Sequence, residues 1–323
     1  MKFRRYSLPM PSRRETISQS QPLTSEEVES YLANLEQRRE ELMQQRIELR
    51  KQIGEVEQQA AALAFDICGN ADDSQNVELY DGTLGVSIDF VNRCSPPVGQ
   101  IQWLDDLPQR FTEHGSSPGD VNGVRWASGV LTSETLFLTT GHSFDLSQVN
   151  DWQPPRRNWQ VINAYETATL MQVNFNYQIN AATGFVREAD GFPIIRLLEI
   201  QRGGLDYAIA ELGRNTNGEI PGRKYGYLPV AQQDSSTPGA TLCVIQHPNG
   251  NPKMIEAGPL LSNTGGQIRY DSIDTRGGSS GSPVISTSGE IVGIHSNGGC
   301  TDRPGSFNFG VAIGAIRRAS SIL

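Results

Sequence analysis

From Asn76 onward the chain is cut into short apolar or alternating runs by Gly, Pro, Asn and Asp. The runs fall at 84–90, 129–139, 159–164, 169–177, 192–201, 206–211, 240–245, 266–270, 283–286, 291–295 and 307–313. Few are long enough for an independent helix, and their spacing is that of strands joined by turns. The 33 glycines and 18 prolines of the 323 residues supply the turns. Such a pattern constrains the body to an antiparallel sandwich or a pair of barrels. Residues 77–323 have room for two six-stranded barrels, about 77–225 and 226–313, with a C-terminal helix over 314–323 that carries Ile316 and two arginines.

The first quarter reads differently. Residues 1–23 are a basic, Ser-rich tail with prolines and no apolar core of the kind a secretory leader has. Thr24 and Glu27 have the spacing of a capping box. After them Val28, Leu35, Leu42, Leu49, Val56 and Leu63 recur every seven residues, interleaved with Leu32, Arg39, Arg46, Ile53, Ala60 and Ile67. The pattern predicts a helix over 24–68 whose two seam positions suit a coiled coil, used for self-association or for a partner helix. Residues 69–76 read as a linker.

A net charge of −9 argues against sequence-independent nucleic-acid binding, which needs basic surface. No apolar segment approaches membrane-spanning length. Cys68, Cys94, Cys243 and Cys300 are widely spaced, and without a leader they read as reduced thiols of a cytoplasmic protein. Four histidines and no ligand cluster give no expectation of a metal or another cofactor.

Chemistry concentrates near the C-terminus. In 274–283 Ser280 stands among glycines and small residues, ahead of the apolar run Pro283-Val284-Ile285. Glycines allow a tight turn that exposes backbone N–H groups. A serine hydroxyl is a weak nucleophile and needs a base, an orienting acid and donors for a developing oxyanion. His142 follows the apolar Leu136-Phe137-Leu138 and the small residues Thr139-Thr140-Gly141. Asp206 begins the apolar run Tyr207-Ala208-Ile209-Ala210, where a buried carboxylate needs a partner. A histidine N–H is the natural one, and the pair fixes the tautomer that accepts a serine proton.

Several stretches together resemble the chymotrypsin-type serine endopeptidases, and within them the glutamyl endopeptidase (V8-like) branch. They are Thr-Thr-Gly-His at 139–142, Gly-Leu-Asp-Tyr-Ala-Ile-Ala at 204–210, Gly-Gly-Ser-Ser-Gly-Ser-Pro-Val at 277–284, Ile-Val-Gly-Ile-His-Ser-Asn-Gly-Gly at 291–299, and His-Pro-Asn-Gly at 247–250. The resemblance implies a serine endopeptidase acting on proteins or peptides. His142 is then the base, Asp206 its orienting acid, Ser280 the nucleophile, and the N–H groups of Gly278 and Ser280 the oxyanion hole. It also implies that Thr275, His295, Ser296 and Gly298 line a primary pocket for Glu or Asp. Asp274, one residue off, keeps a trypsin-like pocket open as an alternative, and a catalytically silent binding or scaffold protein of the same fold is the reading from another class. Ser279 and Ser143 stand where secreted relatives carry an activation aspartate and a cysteine. The 64 residues between His142 and Asp206 imply an insertion within 150–192, with a hairpin tip at 178–184.

Overall fold

The computed structural model describes residues 30, 32–39, 41–42, 45, 67–68, 72–147, 152–232, 237–301, 303 and 305–323. The chain divides into two units, Met1–Ala60 and Ala61–Leu323. In the first, residues 32–39 are helical, and Leu32, Leu35 and Leu42 are 53%, 48% and 53% exposed. Most of the predicted 24–68 helix lies outside the described residues. Ile67 and Cys68 are irregular chain.

In the second unit the strands are β1 (Gln75–Asn76), β2 (Val98–Trp103), β3 (Arg125–Leu131), β4 (Leu136–Thr139), β5 (Arg156–Arg157), β6 (Gln160–Val161), β7 (Met171–Phe175), β8 (Asp190–Gln201) and β9 (Tyr207–Leu212). They continue as β10 (Thr241–Gln246), β11 (Met254–Pro259), β12 (Ser262–Thr264), β13 (Gln267–Tyr270), β14 (Pro283–Ser286), β15 (Ile291–Asn297) and β16 (Asn308–Ala312). Strands β2-β3-β4-β9-β8-β7 close into an antiparallel barrel. The other sheet runs β1-β11-β10-β14-β15-β16-β13-β12, and β5 and β6 form a small hairpin.

The expected second six-stranded barrel is therefore corrected to an open eight-stranded sheet. Pro259 ends β11 and has no N–H to donate. Leu260 N–H still donates to Ala240, on the β10 side, whereas Leu261 N–H donates to Arg269 of β13. The chain thus turns from one ladder to another across a single peptide, and the short β1 occupies the outer edge of β11.

Two apolar clusters follow from period-two alternation. Phe137 of β4 and Ala208 and Ala210 of β9 face the barrel interior with Ile101, Trp103, Phe175 and Phe192. Leu138, Tyr207 and Ile209 point to the other side and join the cluster built by the second sheet around Val244, Ile285 and Ile294. Strands buried on both faces read as unbroken apolar runs. The C-terminal helix, Ile313–Ala319, buries Ile313 and Ile316 in the same cluster.

Some predicted strands are helices. Ser87 caps Ile88–Cys94 through an N–H bond from Phe90, so 84–90 is not a strand. Asn163 caps Ala164–Thr169 in the same way, leaving only β6 of the predicted 159–164 strand. Strands β2 and β11 were not anticipated. The hairpin tip is present: Gly184 N–H donates to Asn180 O, and Ile179 bridges Val186.

Cys68 and Cys300 form a disulfide, and Cys94 and Cys243 are buried free thiols. The expectation of four reduced thiols is thereby corrected for Cys68 and Cys300. Residues 232 apart carry no spacing signal, and only the fold brings them together.

Candidate active site

The pairing of β4 with β9 sets Thr139 opposite Ala208, so the ends of both strands emerge side by side. His142 lies in the 3-10 turn Gly141–Ser143 that follows β4, and Asp206 immediately precedes β9. Asp206 accepts the His142 backbone N–H at 2.9 Å on Oδ1 and pairs with His142 Nδ1 at 2.5 Å through Oδ2. Burial opposes the Asp206 carboxylate, but the His142 hydrogen bonds and Arg202 prevail and hold its pKa below the usual range. An ionised carboxylate only accepts, so Nδ1 carries a hydrogen, and in the neutral imidazole the lone pair is on Nε2. Arg202 donates to Asp206 Oδ1 at 2.9 Å and to Asp145 Oδ2 at 3.1 Å, tying the acid to the loop beyond His142. The sequence offered no signal for Arg202.

Ser280 belongs to the second sheet's half of the unit, on the turn before β14. Within that turn Ser279 N–H donates to Arg276 O, Gly281 N–H to His295 O, and Ser282 N–H to Ser279 O. Among the described residues the N–H groups of Gly278 and Ser280 donate to no protein acceptor. Gly278 has φ +88, and a Cβ there would lie 2.8 Å from His247 O. The His-Pro-Asn-Gly stretch is packed beneath this turn, with Asn249 N–H donating to Gly277 O.

One residue of the barrel holds the turn in place. Ser128 on β3 donates its N–H to Ser280 O at 2.9 Å and its Oγ–H to Gly278 O at 2.8 Å. Its own carbonyl accepts from Thr139 Oγ1 at 2.7 Å, three residues before His142. Gly281, at φ +85, passes so close that a Cβ would meet Thr139 Oγ1 at 2.1 Å and Ser128 O at 2.2 Å. These contacts set Ser280 beside the strand that carries His142. Among the described residues no hydrogen bond joins Ser280 Oγ to His142, a looseness common in unliganded sites. In the sequence Ser128 was one more small residue ahead of an apolar run.

The four expected pocket residues differ in what they offer. Thr275 is 1% exposed, and its Oγ1 has no hydrogen-bond partner among the described residues. His295 is brought to the turn by reciprocal backbone bonds with Gly281 and Ser282. It is fully buried, and its Nδ1 faces the Tyr270 hydroxyl at 2.6 Å. Burial, aided by nearby His142, pushes the His295 pKa down to about 3, so the ring is neutral. Burial also raises Tyr270, which keeps its hydroxyl hydrogen. With that hydroxyl donating to Nδ1, His295 carries its hydrogen on Nε2 and is a neutral donor. Ser296 Oγ is directed to Phe309 O at 3.5 Å, and Gly298 is exposed at the rim. Asp274 turns elsewhere: its Oδ1 accepts Cys68 N–H at 2.6 Å. Beyond the rim, Gly299 and Cys300 N–H both donate to Asn308 Oδ1.

A closed barrel against an open antiparallel sheet, with a His–Asp pair on one and a glycine-flanked serine turn on the other, defines the trypsin-like class of serine protease fold. The family model described as "Trypsin-like peptidase domain" matches residues 127–294, just over half of the chain. The chain belongs to that family. Secreted RxLR effector protein 73 of Plasmopara viticola is 38% identical over 108 residues, which are 30% of this chain and 25% of that protein. The chain thus spans about a quarter of the length of that curated relative. Among solved structures, a Glu endopeptidase shares 16% identity at a TM-score of 0.49, covering 78% of this chain and 99% of its own. A serine endoprotease from Yersinia pestis shares 16% at a TM-score of 0.45, covering 71% and 63%.

Proposed function

We propose that the chain is a serine endopeptidase that cleaves peptide bonds through an acyl-enzyme on Ser280 and prefers Glu, or Asp, at the P1 position. The observation that carries the reading is the His142–Asp206 pair, which orients the imidazole through Nδ1, together with Ser128, which ties the Ser280 turn to the barrel. His142 Nε2 takes the Ser280 proton as Oγ attacks the carbonyl carbon. Asp206 stabilises the imidazolium, and the Gly278 and Ser280 N–H groups receive the oxyanion. His142 then returns the proton to the leaving amine, and water repeats the cycle to release the acid.

The acidic preference is supported by Thr275 Oγ–H and His295 Nε2–H, two buried neutral donors that suit a carboxylate. Ser280→Ala is expected to abolish hydrolysis of Glu-containing peptides and labelling by a fluorophosphonate probe, with an unchanged circular dichroism spectrum. Labelling of that variant, or cleavage by it, defeats the assignment, and a library profile favouring Lys, Arg or aromatic P1 residues defeats the pocket.

The half-exposed Leu32, Leu35 and Leu42 support the use of the N-terminal helix for self-association or for a partner helix. The disulfide favours an oxidising compartment and removes the reduced-thiol support for a cytoplasmic location.

A further inference from the structure

The segment that leads into Thr275 and Ser280 passes a group of acids that the proposed reaction does not use. Carboxylate oxygens of Asp72, Glu256 and Asp274 all lie within 4.8 Å of one another. The three come from the stretch before β1, from β11 and from the start of the serine loop. Glu256 is fully buried; its Oε1 accepts Ala257 N–H at 2.9 Å, its Oε2 finds no N–H or hydroxyl donor among the described residues and lies against the Asp73 carboxyl, and burial with the neighbouring Asp73 and Asp274 pushes its pKa up to about 9. Asp274 is 2% exposed and uses Oδ1 for Cys68 N–H. Asp72 is on the open side, bonded to Ser74 through Oδ1 and to the Arg276 guanidinium through Oδ2.

A buried carboxylate oxygen facing two other carboxylates without a donor is costly. One guanidinium, held by Asp72, does not offset the four acids Asp72, Asp73, Glu256 and Asp274. We propose that Asp72, Glu256 and Asp274 bind a divalent cation of the calcium type. The donor set is all oxygen, which disfavours zinc, and carboxylates from three separate stretches suit the flexible shell of calcium better than the near-ideal octahedron that magnesium demands. Calcium takes flexible oxygen shells at about 2.3–2.6 Å, so oxygens across it stand about 5 Å apart, as the spacing here allows. The exposed Asp72 side admits the waters that complete such a shell. Cysteine and histidine spacing gave no hint of the site, because its three acids are distant in sequence. The bound ion ties the stretch ahead of β1 to β11 and to the backbone that carries Thr275.

The test uses the full chain, stripped with a chelator and dialysed, in calorimetric titrations with calcium chloride and in thermal melts. One calcium per chain is expected. The melting temperature is expected to rise by about 5 °C when calcium is a hundredfold above its dissociation constant. Glu256→Gln is expected to weaken binding at least tenfold. Asp72→Asn, on the exposed side, is expected to weaken it as well and decides the matter should the buried variant not fold. No calcium binding up to about 10 mM, beyond the weakest range of protein calcium modules, overturns the proposal. Unchanged affinity in the variants overturns it too, as does an equal melting shift with magnesium or with sodium chloride of the same ionic strength.

Discussion

Replacing Thr275 by Val separates the cost of the pocket from its use. Valine keeps the branched shape and removes only the hydroxyl. In the free protein that hydroxyl is buried at 1% exposure with no partner, so it is a liability to the fold. An unsatisfied buried polar group costs about 1–3 kcal/mol, and its removal is expected to stabilise the chain by about 1–2 kcal/mol. For a body of this size that is a rise in Tm of about 3–6 °C. On the proposed acidic preference, a P1 carboxylate supplies the missing acceptor. A hydrogen bond to a charged group is worth about 1.5–3 kcal/mol, so kcat/KM on a Glu substrate is expected to fall about 10- to 150-fold. The matched Gln substrate, with no charge to receive, loses far less. The assay is a pair of fluorogenic peptides differing only at P1, run beside thermal melts of both proteins. A variant that is less stable than the parent refutes the reasoning about the lone hydroxyl. Equal losses on Glu and Gln refute its role in reading charge.

Gly281→Ala drives a methyl group into Thr139 Oγ1 and Ser128 O at a positive φ, and it is expected to cost about 3 kcal/mol or more and to abolish fluorophosphonate labelling; urea melts and labelling check it, and a stable, labelled variant contradicts the close packing. His295 gives a pH dependence of definite sign. Its folded pKa is depressed to about 3 from 6.5, so between those values the unfolded chain binds a proton that the folded chain refuses, and stability falls as pH drops through that window. The slope from this group approaches about 1.4 kcal/mol per pH unit, and urea melts from pH 7 to 4 are expected to be flatter for His295→Gln than for the parent; equal slopes refute a buried neutral ring.

What could be read from the sequence was local. His142, Asp206 and Ser280 each stand at the edge of an apolar run among small residues, a context visible within ten positions. Thr275 and His295 were singled out only through the resemblance to the glutamyl endopeptidases. Their partners were not. Tyr270 is an ordinary aromatic strand end until β13 and β15 both pair with β16. Ser128 matters only because the second sheet's turn rests on it. Strand β2 was hidden by Gln100 and Gln102, polar residues that the pattern places outside. Gln100 is in fact fully buried, accepting from Arg125 and Asn174. The passage of the chain from one ladder to the other at Leu260–Leu261 is too small an event for residue patterns to show.

The bonds from Ser128 to the serine turn have a mechanical consequence. The imidazole rides on the closed barrel and the hydroxyl on the open sheet, so the two reacting groups have no rigid element in common. Their alignment is a vernier between two layers, set where β3 meets the turn. A slip of one layer over the other, smaller than an atom's diameter, leaves every strand intact and parts the serine from its base. On the proposed reaction, turnover gauges the registry of the two layers and fails before either of them comes apart.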